Sequence, residues 1–290
     1  MKILLINKDI HHKNLNIIKL YKHIDFEQVN EVSDIESYDL TLFDCVFSPS
    51  EPIDVSKYSG TCFIFGPHFS VFPNEKLLKI KSKNTAFVIL SEWVKKIWQS
   101  YNICDNLNLI DIPFPVDTEK FNEVKPIQNR NLVFIYYKSR HPQELNFIEN
   151  ILQQFNISYK IFSYKHRYNE NDYLEYLQNS RFGVWVDAHE SQGFALEEAL
   201  SCNVPLFVWN IKSMNQEYGQ NHPDIPATTI PYWDERCGEY FYDMTDFRDK
   251  FNKFFNNLES YKPREYVLEN LSPEVCEKAF INMILELKDN

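Results

Sequence analysis

The stretch HESQGFALEEALSCNVPLFV, running from His189 to Val208, places a glutamate on each side of a glycine. Glu190 and Glu198 are eight positions apart (198 − 190 = 8) with Gly193 between them. The preceding FGVWV reads as a strand, DAHESQ as the loop at its carboxyl end, and Gly193 as the opening of a short helix through Cys202. Asn203, Val204 and Pro205 end that helix before the strand LFVW. A helix start presents unpaired N–H groups and a partial positive charge, and a glycine there admits a phosphate with no Cβ in the way. The amides of Gly193 and Phe194 can therefore cradle a diphosphate. Glu198 falls about one helical turn beyond the phosphate-binding end, and a carboxylate accepts two hydroxyl hydrogens at once, which suits sugars and ribose. The stretch alone leaves a second reading open, in which Glu197 and Glu198 are solvated helix residues and Glu190 favours the helix start by its charge.

A diphosphate needs cations, and two clusters follow the first two strands of the second half, YYKSRH and YKHR. Lys138 and Arg140 are expected to neutralise the departing diphosphate, with Lys165 and Arg167 as a second pair; ordinary surface bases are the alternative. Asp187 and His189 flank the loop and either touch the ligand or close the turn. No Asp-x-Asp pair occurs in the sequence and no His/Cys cluster has metal spacing, so no metal is expected to hold the diphosphate and no cofactor is expected.

The elements that must position these groups are short apolar runs alternating with amphipathic stretches. KILLI, LTLFDCVF, TCFIF, AFVIL and LNLIDI read as parallel strands buried on both faces. SEWVKKIWQSY reads as a helix with Ser91 at its N-cap and Val94, Ile97, Trp98 and Tyr101 on one face. After a polar stretch the alternation restarts with LVFIYY, PQELNFIENILQQF, YKIFSY, NDYLEYLQNS and FGVWV. The restart predicts an α/β chain of two doubly wound domains facing each other, over residues 1–122 and 123–271. The tail SPEVCEKAFINMILEL reads as a helix over 272–290 returning to the first domain on an apolar stripe of Val275, Ala279, Phe280, Met283, Ile284 and Leu287. FRDKFNKFF spaces Phe247, Phe251, Phe254 and Phe255 helically, as a core face more often than a membrane-seating one.

Composition narrows the partners. A formal net charge of −11 opposes a non-specific grip on nucleic acid or anionic membranes, so any anionic ligand needs a local basic cluster. With only 6 glycines there is neither a G-x-G-x-x-G nor a Walker A run, which weighs against NAD enzymes and P-loop NTPases. The six cysteines form no C-x-x-C pair and several lie in apolar runs, fitting free thiols in a reducing cytoplasm. The opening MKILLINKDIHH carries an apolar run too short for a signal peptide or a membrane span, and reads as a first strand.

ESQGFALEEALSCNVPLFV resembles the signature of retaining nucleotide-sugar glycosyltransferases of GT-B architecture (glycosyltransferase group 1, family 4-like). IPFPVDTEKF resembles the segment by which that family leaves its first domain, VILSEWVKKIWQS the serine-led helix upstream of it, and ATTIPYWDERCGEYF the stretch after the sugar-binding helix. The resemblance implies a GT-B fold of two Rossmann-like domains, with a nucleoside-diphosphate sugar bound mainly by the second. It implies that Glu198 holds the ribose, that Glu190 faces the donor sugar, and that the backbone around Ser191, Gln192, Gly193 and Phe194 meets sugar and diphosphate. His68, in FGPHFS, corresponds to first-domain histidines that bond the donor sugar in similar enzymes; a turn histidine bonded to backbone is the alternative. His11 and His12 stand in the first β/α loop where relatives often carry glycines, and the basic cluster at Lys138 and Arg140 departs from the family's arginine followed by lysine-glycine. The implied activity is metal-independent transfer of a sugar to an acceptor hydroxyl of a glycan, lipid-linked or protein-linked acceptor, with retention of anomeric configuration and at most peripheral membrane association. The rival readings are a nucleotide-sugar-binding protein that no longer transfers, and a nucleic-acid base glycosyltransferase.

Overall fold

The computed structural model of the chain describes residues 1–10, 12–50, 53–67, 71–73, 84–166 and 168–289. They form two compact units, one of Met1–Pro115 with Leu271–Asn290, the other of Val116–Asn270. Each holds one parallel sheet. The first runs β2-β1-β3-β4-β5-β6, built from Lys2–Ile6 (β1), Asp25–Val29 (β2), Cys45–Ser48 (β3), Phe63–Phe65 (β4), Thr85–Ile89 (β5) and Leu109–Asp111 (β6). The second runs β11-β10-β9-β7-β8, from Leu132–Lys138 (β7), Lys160–Ser163 (β8), Ser180–Asp187 (β9), Leu206–Trp209 (β10) and Gly238–Phe241 (β11). In each unit the first strand lies between the second and the third, so the winding direction reverses at β1/β3 and again at β7/β9.

The interior strands are the continuous apolar runs. Ile3, Leu4 and Leu5 of β1 and Phe63, Ile64 and Phe65 of β4 are fully buried, as strands covered on both faces must be. β2, DFEQV, is an edge strand with an exposed, partly polar face, so its sequence carries no apolar run. The first unit also holds helices α1 (His12–Ile18) and α2 (Glu92–Gln99), and the second holds α3 (Pro142–Gln154) and α4 (Glu170–Asn179). Ser91 does sit at the N-cap of α2 in an extended conformation, but its hydroxyl makes no cap bond, so capping is not what starts this helix. Val94, Ile97 and Trp98 bury its apolar face, whereas Tyr101 lies past its end and is exposed.

The last helix, Pro273–Asp289, belongs to the first unit, where Phe280 meets Phe47 and Tyr21 with ring centroids 5.0 and 6.1 Å apart. Its buried face is Cys276, Glu277, Phe280, Met283, Ile284 and Leu287. Val275 and Ala279, expected in the stripe, are exposed. The face is rotated because Glu277 is buried against the backbone N–H and ring Nδ1 of His23, at 2.5 and 3.0 Å.

The second unit is packed around aromatic rings. On one face of its sheet, Val184, Val186, Phe207 and Phe241 meet the helix Met244–Asn256 through Phe247, Phe251 and Phe254. Those phenylalanines are core, and Phe255 alone of the four is exposed. On the other face Tyr136 of β7 lies flat on Trp185 of β9 at 4.0 Å, locking the two strands whose ends carry the site. Residues 116–122 pack on this unit: Val116 and Phe121 are buried, and the Phe121 carbonyl accepts a bond from Ser201 Oγ at 2.6 Å. Among the described residues no helix is long and apolar enough to cross a membrane.

Candidate functional site

Lys138 ends β7 and Asp187 ends β9, and the parallel register sets them opposite each other. They stand at the carboxyl ends of the two strands where the winding reverses, the position at which open α/β sheets bind ligands. Glu190 follows three residues on, held by its N–H donating to the Thr228 carbonyl at 3.1 Å. The Lys138 ammonium pairs with the Glu190 carboxylate, lies 3.9 Å from Asp187 Oδ2, and sits 5.2 Å from the centre of the Tyr164 ring. Burial alone would lower the Lys138 pKa, but the Asp187 and Glu190 charges outweigh it and hold the amine above its ordinary value. Asp187, fully buried, is driven the other way from an ordinary carboxyl: desolvation first, and then the Glu190 charge, raise it well above the usual range. The Asp187 carboxyl is thereby biased toward its neutral form beside the charged lysine.

Gly193 is the N-cap of α5 (Phe194–Ser201) and adopts φ +97°, ψ +47°, a left-handed conformation that costs an L side chain strain. It turns the chain from the loop into the helix, so the first α5 amides open beside Glu190, whose Cβ would be 3.6 Å from a Cβ at Gly193. Ser191 and Phe194 are half-buried, and Gln192 is buried with its amide donating to Glu197 Oε2 at 3.0 Å. Glu197 is fully buried and Glu198 is 9% exposed, so neither is a solvated helix residue. Burial, and then the neighbouring Glu198 and Glu190, raise the Glu197 pKa well above its ordinary value against the opposing Gln192 bond. At the far end of α5, Arg130 donates to the Cys202 carbonyl at 2.9 Å and Arg264 to the Ser201 carbonyl at 2.7 Å, two cations satisfying the orphan acceptors of the helix terminus.

Arg140 departs from its expected role. It is buried, and four of its five N–H donors are engaged: Nε and Nη2 on the Glu144 carboxylate at 2.9 and 2.6 Å, and Nη1 on the carbonyls of Asp187 and Trp209, both at 3.0 Å. It braces the ends of β9 and β10 and has no free fork for a phosphate. Lys165 lies exposed in the turn Tyr164–His166 that follows β8, next to the Tyr164 ring that covers Lys138. His68, Arg167 and His11 lie outside the described residues.

No family model matches the sequence, and no curated protein matches it. Solved structures do. Over 99% of both chains it is similar to the lipopolysaccharide outer core galactosyltransferase WaaB in its apo form, with TM-score 0.56 at 15% identity. It is similar to sucrose-phosphate synthase from Thermosynechococcus elongatus, again over 99% of both chains, with TM-score 0.55 at 10% identity. WaaG, a glycosyltransferase involved in lipopolysaccharide biosynthesis, matches with TM-score 0.51 at 12% identity over 96% of this chain and 98% of that one. The fold is GT-B.

Asn210 in this GT-B chain escaped the sequence reading, and so did the cluster in which His189, weighed there as a ligand or turn residue, takes part. Asn210, buried after β10, accepts at Oδ1 from the N–H groups of Ile211 and Thr229 at 2.8 Å each and from the Thr228 hydroxyl at 3.1 Å. It thereby shapes the segment on which the Glu190 loop hangs. An asparagine directly after the apolar run LFVW is the sequence signal that points to such a post. The cluster is His189, Glu217 and His222, whose ligand-capable atoms all lie within 4.8 Å of one another. They are 28 and 5 positions apart (217 − 189 = 28, 222 − 217 = 5), a spacing that matches no metal motif.

Proposed function

We propose that the protein transfers a sugar from a nucleoside diphosphate to an acceptor hydroxyl, and that its second unit binds the donor. One observation carries the reading: Lys138, Asp187 and Glu190 converge at the β7/β9 reversal beside a helix that opens on a left-handed glycine. In this reading the α5 amides and the Lys138 ammonium take up the negative charge that develops on the diphosphate as the anomeric C–O bond breaks. Glu190 orients the sugar and Glu198 the ribose, roles that come from the resemblance of the glutamate-flanked helix start to the retaining family. Retention of configuration and independence of a diphosphate-bound metal rest on the same resemblance. Arg140 contributes indirectly, by fixing the strand ends from which Asp187 and the loop project.

What supports transfer as the activity is the GT-B fold shared with proteins described as glycosyltransferases. The test is a thermal-shift screen against nucleoside diphosphates and nucleotide sugars, with Glu198→Ala alongside. A ligand at 100 times its dissociation constant stabilises by about 2.7 kcal/mol. A shift with one nucleotide sugar that Glu198→Ala abolishes is the expected result, followed by release of the nucleoside diphosphate when an acceptor is added. A shift without release under any acceptor would favour a binding protein, and no shift at all would sink the donor site.

A further inference from the structure

We propose that His189, Glu217 and His222 form a site for a divalent transition metal of the zinc class, separate from any diphosphate-bound ion. His189 Nδ1 and His222 Nε2 stand 3.5 and 3.1 Å from the same carboxylate oxygen, Glu217 Oε2. Ligand bonds of 2.0–2.2 Å in tetrahedral geometry separate neighbouring donor atoms by about 3.4 Å. All three donor atoms fall within 4.8 Å of one another, so side-chain rotations alone bring them around one ion. Two imidazoles and one carboxylate suit zinc, cobalt or nickel; magnesium and calcium prefer sites built of oxygen. Three protein ligands leave a fourth position for water or a ligand oxygen.

The site is scaffolded by backbone. His189 follows β9 directly, where Ala188 N–H donates to Asp187 Oδ1 at 2.6 Å and the Glu190 N–H is tied to Thr228. Glu217 follows a 3-10 turn over Met214–Gln216, capped reciprocally by Ser213 and Gln216. The next N–H, of Tyr218, donates to the Ser139 carbonyl at 2.9 Å, and Met214 N–H donates to the Ile225 carbonyl at 2.9 Å on the far side of His222. The three ligands therefore sit on a frame fixed before any ion arrives, which lowers the ordering cost of binding. Side-chain exposures of 12% for His189, 18% for Glu217 and 28% for His222 leave a way in from solvent. A bound ion would pin the loop that carries Glu190 to the 214–225 segment; the site itself stands whether or not the protein transfers sugar.

The chelator-treated protein titrated with Co²⁺, with no nucleotide present, tests this. The expected result is one equivalent of strong visible d–d absorption of a tetrahedral nitrogen and oxygen site, displaced by Zn²⁺, together with a raised Tm in Zn²⁺. His222→Ala and Glu217→Gln, shown to fold by circular dichroism, are each expected to weaken Co²⁺ binding by at least about 100-fold, above what loss of an outer-shell partner costs. The six cysteines are all buried free thiols, and their ligation would announce itself by a near-ultraviolet thiolate-to-cobalt band. That band, an absence of visible absorption in the wild type, or absorption unchanged in both variants would overturn the proposal.

Discussion

Two basic residues two positions apart, Lys138 and Arg140, end in opposite situations, and the difference sets what each mutation should do. Lys138 is charged, part-exposed and paired with carboxyls that a ligand can displace, beside the Tyr164 ring, whereas Arg140 is spent on Glu144 and two carbonyls. Lys138→Ala should fold normally and lose about 10²–10³-fold in transfer, the scale of removing one charge-stabilising donor. Arg140→Ala should instead lose about 3 kcal/mol of stability in urea unfolding, because it strands a half-buried carboxylate and two buried carbonyls. Equal stabilities for the two variants would refute this division of labour. In the sequence both residues read alike as bases after a strand; only burial separates a brace from a ligand contact.

Glu197 yields a prediction with a definite sign. Its carboxyl pKa in the folded chain lies well above the ordinary 4.5, mainly through burial. At pH below about 4.5 both folded and unfolded states are protonated and no penalty exists. Above it the unfolded chain ionises while the folded one keeps its proton, so stability falls by about 1.4 kcal/mol per pH unit until the folded pKa is passed. Glu197→Gln preserves the acceptor for Gln192 and removes this slope. The stability difference, variant minus wild type, should therefore grow as pH is raised above about 4.5. A difference that stays flat across urea curves in that range would mean that Glu197 is ionised in the folded protein.

At the level of elements, the two ends of α5 are built differently. Its start turns in at Gly193, which brings no side-chain cap, while its last carbonyls are taken by Arg130 and by Arg264 of the helix Pro263–Asn270 that packs on it. Arg264 also donates to the carbonyls of Phe121 and Thr118 at 3.0 and 3.1 Å, tying residues 116–122 to α5. Arg264→Lys keeps the charge but loses the fork, and should cost about 2 kcal/mol. A loss under about 0.5 kcal/mol in urea titration would show that water replaces the brace. Elements buried on both faces were legible in the sequence because continuous apolar runs have few other uses. β2 was not, because an edge strand reads as polar chain; nor was the buried face of the last helix, because a buried Glu277 satisfied by His23 looks like a solvent residue until its partner is placed. The helix start at Gly193 was legible for a local reason, since glycine, strand end and apolar helix are neighbours in the chain. The His189, Glu217 and His222 cluster was not, since two loops separated by a strand build it.

Across the whole molecule the two units are made unequally from the chain. The second is one continuous segment, Val116–Asn270, and contains Lys138, Glu190, Glu198, the α5 start and both arginine braces. The first draws on both ends of the chain: its helix Pro273–Asp289 packs Phe280 on Phe47 and Tyr21 and buries Met283, Ile284 and Leu287 on the same face. Each of those side chains contributes about 1.5–3 kcal/mol when buried. Together they match the whole stability of an ordinary domain, about 5–15 kcal/mol. A fragment of residues 116–270 should thus unfold cooperatively by itself and, on the proposed function, keep whatever thermal shift a nucleoside diphosphate gives the full chain. A fragment of residues 1–115 should show no cooperative transition, because removing the last helix exposes Phe47 and Tyr21 as well as losing that helix's own apolar face. Calorimetry on the two fragments decides it. A cooperative 1–115 fragment would mean that the last helix is dispensable to the first core, and a folded 116–270 fragment blind to a nucleotide that shifts the full chain would mean that the proposed donor site draws on residues outside the second unit.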